Sequence, residues 1–177
     1  MKTRFSSKRI ATAAIGAAIS LLAIIAAYYV KNLSLSFNVL AGVGLLLPLS
    51  QKYYKESVLA YVAAAALGAV FTNINVLPFV MVTGLYTIAA VLLYDKKVKW
   101  VITVPACAAY GCLCFFILYK LASLITLDIV KLKLGGLSPA SLYVILNAVF
   151  LLALAAFHAL IIWINNYLSK LLKKVIK

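Results

Sequence analysis

Acid–base chemistry has little to work with in this sequence. Its only carboxylates are Glu56, Asp95 and Asp128, and its only imidazole is His158. Hydrolysis needs a nucleophile with its base, paired carboxylates or a metal cluster, and none of these can be assembled from residues so scattered. Glu56 and Asp95 follow or precede lysines, Lys55 and Lys96, and are expected to be solvated in loops. His158 lies in an apolar run, where a hydrogen-bonded or interfacial imidazole is the expected role. Cys107, Cys112 and Cys114 share another apolar run without a CxxC spacing, and read as structural thiols. No GxxxxGK[ST] phosphate loop occurs, so the chain does not drive transport with its own ATP hydrolysis. The expectation is a protein that is not an enzyme, with no catalytic residues, no metal and no cofactor.

Binding chemistry is better represented. Asn38 and Asn147 fall inside apolar segments, where an amide is costly unless it is bonded or faces water. Asn73 and Asn75 stand in a short polar interruption, where turn chemistry is the alternative. Asp128 and Lys131 together offer both signs of charge to a zwitterion, and equally form a surface i,i+3 ion pair. Asn38, Asn73, Asn75, Asp128, Lys131 and Asn147 are therefore the candidate substrate-binding residues. A different signal sits near the N-terminus. Ala13 and Ala17, with Ala14 and Ala18, form overlapping small-xxx-small pairs that let another helix approach closely, whether a partner's or the chain's own. Ala60, Ala64 and Gly68 repeat the pattern further along.

The elements that must position these residues follow from composition. Of 177 residues 67% are hydrophobic and 11% are charged, and the mean hydropathy is +1.12. A soluble domain of this size cannot hide so much apolar surface. Apolar runs at 10–30, 35–50, 57–72, 74–94, 100–119 and 139–167 predict an all-α, polytopic membrane bundle of six transmembrane helices in a single membrane domain, 1–177. Ser138 and Pro139 read as N-cap and first residue of the last helix. The net charge is +14. The basic residues cluster before the first run (Lys2, Arg4, Lys8, Arg9), at Lys52 and Lys55, at Lys96, Lys97 and Lys99, and after the last run (Lys170, Lys173, Lys174, Lys177). Six crossings put all four clusters on one side, which the positive-inside rule makes cytoplasmic, together with both termini. The charge therefore marks topology and contact with the lipid bilayer, and no nucleic-acid partner is expected.

A family resemblance rests on several short stretches taken in order: Leu47-Pro48-Leu49, Lys52, Leu59-Ala60-Tyr61-Val62-Ala63-Ala64, Asn73, Gly84-Leu85-Tyr86 and Asn147-Ala148-Val149-Phe150. With six helices and the AxxxA spacing of the first, the chain resembles the substrate-binding (S) component of energy-coupling factor transporters. The resemblance implies a multi-pass protein of the bacterial cytoplasmic membrane that captures a micronutrient in an outward-facing pocket. It implies a transmembrane coupling subunit docked on the face of Ala13 and Ala17, and separate ATPase subunits that supply the energy. No vitamin-specific ligand set is recognisable, which leaves the ligand open. The competing expectation is a small membrane scaffold of cell-envelope assembly that uses the same small-residue faces and has no ligand.

Overall fold

The computed structural model describes residues 7–125 and 138–175. Among these the chain is helical throughout, with no strand: α1 (Ser7–Tyr29), a 3₁₀ turn (Lys31–Leu33), α2 (Ser34–Gly44), α3 (Leu46–Ser50), α4 (Tyr54–Thr72), a second 3₁₀ turn (Asn73–Val76), a π-helical segment (Pro78–Gly84), α5 (Leu85–Asp95), α6 (Trp100–Ile125) and α7 (Pro139–Val175). Joined across their short turns, these make six segments long and apolar enough to cross a membrane: Ser7–Tyr29, Lys31–Ser50, Tyr54–Val76, Pro78–Asp95, Trp100–Leu121 and Ala140–Leu172. Helices suit that setting because each satisfies its own backbone polar groups. The surface agrees. Val70 is 79% exposed, Val101 81% and Leu152 72%. Large aliphatic side chains thus face outward on several helices, as they do on surfaces that meet a membrane or another protein.

The chain divides into two compact units. The first comprises residues 1–97 with 158–177, and the second residues 98–157. In the first unit α1 packs on α2, α3 and α4 through small residues. Ala13, Gly16, Ser20, Ala23 and Ala27 form its buried line, and Ala60, Ala64 and Gly68 form that of α4. The small stripes thus serve the chain's own packing, at least in part. Small side chains let the helix backbones approach closely, the packing that van der Waals contact rewards. The closest approach is at Gly16 and Gly44. A Cβ on Gly44 would lie 2.5 Å from Ser20 Oγ and 2.9 Å from Ser20 N. Ser20 Oγ donates across the same interface to the Ala41 carbonyl at 2.7 Å.

Two of the six segments are less regular than the sequence suggests. The run at 35–50 is broken between α2 and α3, and Pro48 is the cause. It has no N–H to donate to Gly44, its i−4 acceptor, and a Cβ on Gly16 would come within 2.8 Å of the Gly44 carbonyl and 3.1 Å of the Pro48 ring. The run at 74–94 is one helix in expectation and three pieces in the structure. Pro78 opens the π-helical segment. The Val80 carbonyl, which an α-helix would give to Gly84, accepts from Tyr61 Oη of α4 at 2.9 Å. Gly84 makes room for that ring, since a Cβ there would sit 2.8 Å from it. The C-terminal part of α7 is tied to α5 by Asn166 Nδ2 donating to Tyr94 Oη at 3.1 Å, and to α3 by Ser169 Oγ donating to the Ser50 carbonyl at 3.1 Å.

In the second unit α6 faces the first half of α7. Phe115 packs on Tyr143 and Phe150, with ring centroids 5.3 and 5.6 Å apart, and Tyr119 meets Tyr143 edge-on at 5.1 Å. Helix α7 starts as its sequence predicts: Pro139 is its first residue, and Ser138 Oγ accepts from Ser141 N at 3.2 Å. It runs on to Val175, well past the expected 167.

Glu56 departs from the sequence expectation, because it is not a solvated loop residue. It belongs to the first turn of α4 and is only 5% exposed. Ser57, Ala60 and Ala64 on the same face are buried too, so the helix that sinks them also sinks the carboxylate. Arg9 lies 3.8 Å from it, with the guanidinium also 4.9 Å from the centre of the Tyr53 ring. Asp95 likewise is only half-exposed, and its carboxylate accepts from Tyr54 Oη at 2.7 Å.

Candidate functional site

The first unit contains a cavity of about 700 Å³ where α1 ends and α2 begins. Its walls are Ala27, Tyr28 and Tyr29 from the last turn of α1 and Pro78 from the start of the π-helical segment. Its polar groups are Lys31 from the 3₁₀ turn, Ser34 and Asn38 from α2, and Asn75 from the turn after α4. The helices set this collection. Ser34 and Asn38 are four apart and share one face of α2. Pro78 forces a turn rather than continuous helix after α4, and this turn brings Asn75 to the cavity. The volume is within the range of small-molecule sites, which are mostly apolar with a few convergent polar groups.

Two of the predicted residues, Asn38 and Asn75, therefore meet on one cavity. Asn38 is 8% exposed, and its Nδ2 donates to the Ser34 carbonyl at 2.9 Å. Asn75 Nδ2 donates to the Thr72 carbonyl at 3.1 Å. Asn73 is not among the residues that line this cavity. It ends α4 with φ 52° and ψ −130°, a conformation that glycine adopts without strain and other residues do not. Asn73→Gly is accordingly expected to raise stability by about 1 kcal/mol, read as a higher unfolding temperature of the purified protein in detergent. A lower one would mean that the Asn73 side chain outweighs its backbone strain.

Asn147 belongs to the second unit. Its Nδ2 lies 3.8 Å from Cys112 Sγ, a weak sulfur contact, and its buried Oδ1 has no hydrogen-bond partner among the described residues. Asp128 and Lys131 lie outside the described residues. Ala13 is buried and Ala17 half-buried, and both line a shallow groove of about 340 Å³ between α1 and α4, with Glu56 at its edge. His158 is held by Tyr86, with Oη and Nδ1 3.0 Å apart. That contact suits the structural role expected of it.

Lys31, Tyr28 and Tyr29 were not among the ligand contacts expected from sequence, where they read as markers of a helix end. The signal was present: a Tyr-Tyr-Val-Lys stretch running into Asn32, Ser34 and Asn38 is a dense polar and aromatic cluster in an otherwise apolar chain. Among the described residues no three His, Cys, Asp or Glu side chains gather to hold a metal. The cavity's described lining offers one ammonium, two amides and hydroxyls over an aromatic rim. Comparison of the chain with known protein families, with curated proteins and with solved structures finds no match.

Proposed function

We propose that this chain is the substrate-capture membrane subunit of an importer of the energy-coupling factor type, with ATP hydrolysis supplied by separate partner subunits. The observation that carries the reading is the cavity framed by Tyr29, Lys31, Asn38 and Asn75. A buried amide inside an apolar bundle is expensive to keep, and Asn38 is one, set beside the exposed Lys31 and Asn75 on a space of ligand size. In this reading both termini and the basic clusters face the cytoplasm of a bacterial cell, and the cavity lies at the outer end of α1, open to incoming substrate. The groove beside Ala13 and Ala17 is the seat of a helix from the coupling subunit, which small side chains admit to close range.

Purification of the tagged chain from its native membrane in mild detergent tests the proposal, with mass spectrometry of the proteins and small molecules that accompany it. The expected result is a coupling subunit and ATPases in stoichiometric amount, lost when Ala17 is replaced by leucine, and a retained metabolite. Recovery with envelope-assembly proteins alone, and no metabolite, would replace the importer with the scaffold.

A further inference from the structure

The same cavity carries information about the class of its ligand, an inference that rests on the capture reading above. Both asparagines are oriented by backbone carbonyls, Asn38 by that of Ser34 and Asn75 by that of Thr72. A carbonyl only accepts, so each amide must turn its NH₂ toward it, and each side-chain oxygen is left over. Neither oxygen receives a hydrogen bond from the described residues. Two amides with an unclaimed acceptor oxygen thus line the cavity, Asn38 more than nine-tenths buried and Asn75 exposed.

Its charge is equally one-sided. Among the described residues Lys31 is the only ionised group on the lining, and no described carboxylate lies within ion-pair distance of it. The described acids are engaged elsewhere: Glu56 faces Arg9, and Asp95 accepts from Tyr54. Arg9 and Lys31 stand at opposite ends of α1, about 30 Å apart at 1.5 Å per residue, so Glu56 is too distant to neutralise Lys31 through salt water. The C-terminus of α1 and the N-terminus of α2 meet at the cavity, where their opposite partial charges offset each other and leave the ammonium to set the sign. A single ammonium matches a single negative charge. A phosphate dianion would call for more cations or a fork of donors.

We infer that the cavity takes a small organic carboxylate that also bears N–H donors, its carboxylate on Lys31 and its N–H groups on the side-chain oxygens of Asn38 and Asn75. The rings of Tyr28 and Tyr29 supply the apolar rim, and Ser34 a further hydroxyl.

The test uses the purified full chain in lipid nanodiscs and a compound library in three matched sets: carboxylates with N–H donors, carboxylates without them, and the first set with the carboxylate converted to a neutral amide. Thermal stabilisation is expected from members of the first set alone. Loss of the charge-assisted contact in Lys31→Gln is expected to weaken the best compound roughly 10- to 100-fold. Lys31 is exposed, so this variant without compound should melt with the parent protein. Equal stabilisation by the second or third set, or undiminished binding to Lys31→Gln, would overturn the assigned class and leave the capture reading standing. If no set stabilises the chain and native mass spectrometry finds it free of small molecules, the capture reading falls and this inference falls with it.

Discussion

Gly44→Leu is expected to be the most damaging single substitution in the first unit, with a loss of about 3 kcal/mol or more. The reason is what stands opposite. A Cβ at this position would lie 2.5 Å from Ser20 Oγ, 2.9 Å from Ser20 N and 3.0 Å from the Gly16 carbonyl. Two of those three atoms are backbone, which cannot swing aside, so α1 and α2 must separate. Separation would break the Ser20 hydrogen bond to Ala41, leaving a carbonyl unpaired at about 1 kcal/mol or more, and would open the end of the cavity that both helices frame. Gly111→Ala supplies the contrast. Its Cβ would also meet neighbours at 2.7 and 2.9 Å, but these are the terminal methyls of Leu151 and Leu154, and a leucine can change rotamer. Unfolding temperature in detergent should fall sharply for Gly44→Leu and by little for Gly111→Ala. Similar, small effects in both would show that the backbones of α1 and α2 are not in close contact at Gly44.

Hydropathy made the large features legible. Six apolar runs became six helical segments, and Ser138 with Pro139 marked the start of α7, because both signals are local: one is a length of uncharged chain, the other a cap at fixed spacing. The interior of two segments was not legible. Pro48 and Pro78 were visible, but whether a proline breaks a helix or merely bends it depends on what receives the freed carbonyl. Here Tyr61, nineteen positions before Val80, receives the carbonyl of Val80, and the carbonyl of Gly44 faces Gly16, twenty-eight positions before it, where only a missing Cβ leaves room. The site divided in the same way. Asn38 stood out as an amide in an apolar run and Asn75 as part of a short polar interruption, and both line one cavity. Lys31 was hidden by its own plausibility, since a lysine at a helix end reads first as a membrane anchor. Which side of α1 faced inward was also closed to pattern alone. Ala13–Ala17 and Ala14–Ala18 are equivalent as spacings, and only packing buries Ala13 and leaves Ala14 and Ala18 exposed.

Glu56 is where the sequence misled most, and it yields the second large effect. Arg9→Ala should destabilise the protein far more than Glu56→Gln, although the two remove the same ion pair. The partners are unequal: the Glu56 side chain is 7% exposed and that of Arg9 50%. Without Glu56 the guanidinium stays in water and over the Tyr53 ring, with little lost. Without Arg9 the carboxylate remains in an apolar groove lined by Ala13, Ala60 and Ala63, uncompensated. Stranding a fully buried charge costs about 3–5 kcal/mol. Half exposure of Arg9 and the long 3.8 Å separation reduce that cost to about 1–2 kcal/mol. Glutamine at 56 keeps the shape and removes the desolvated charge, so it should be neutral or mildly stabilising, and Arg9→Ala should cost little in the Glu56→Gln background. The remaining cost in that background measures the contact of Arg9 with Tyr53, expected at about 0.5–1 kcal/mol for an exposed cation–π pair. Unfolding temperatures of the four proteins complete the cycle. Equal penalties for Arg9→Ala in both backgrounds would mean that Glu56 does not depend on Arg9, and that its carboxylate is compensated from within the groove by some other group.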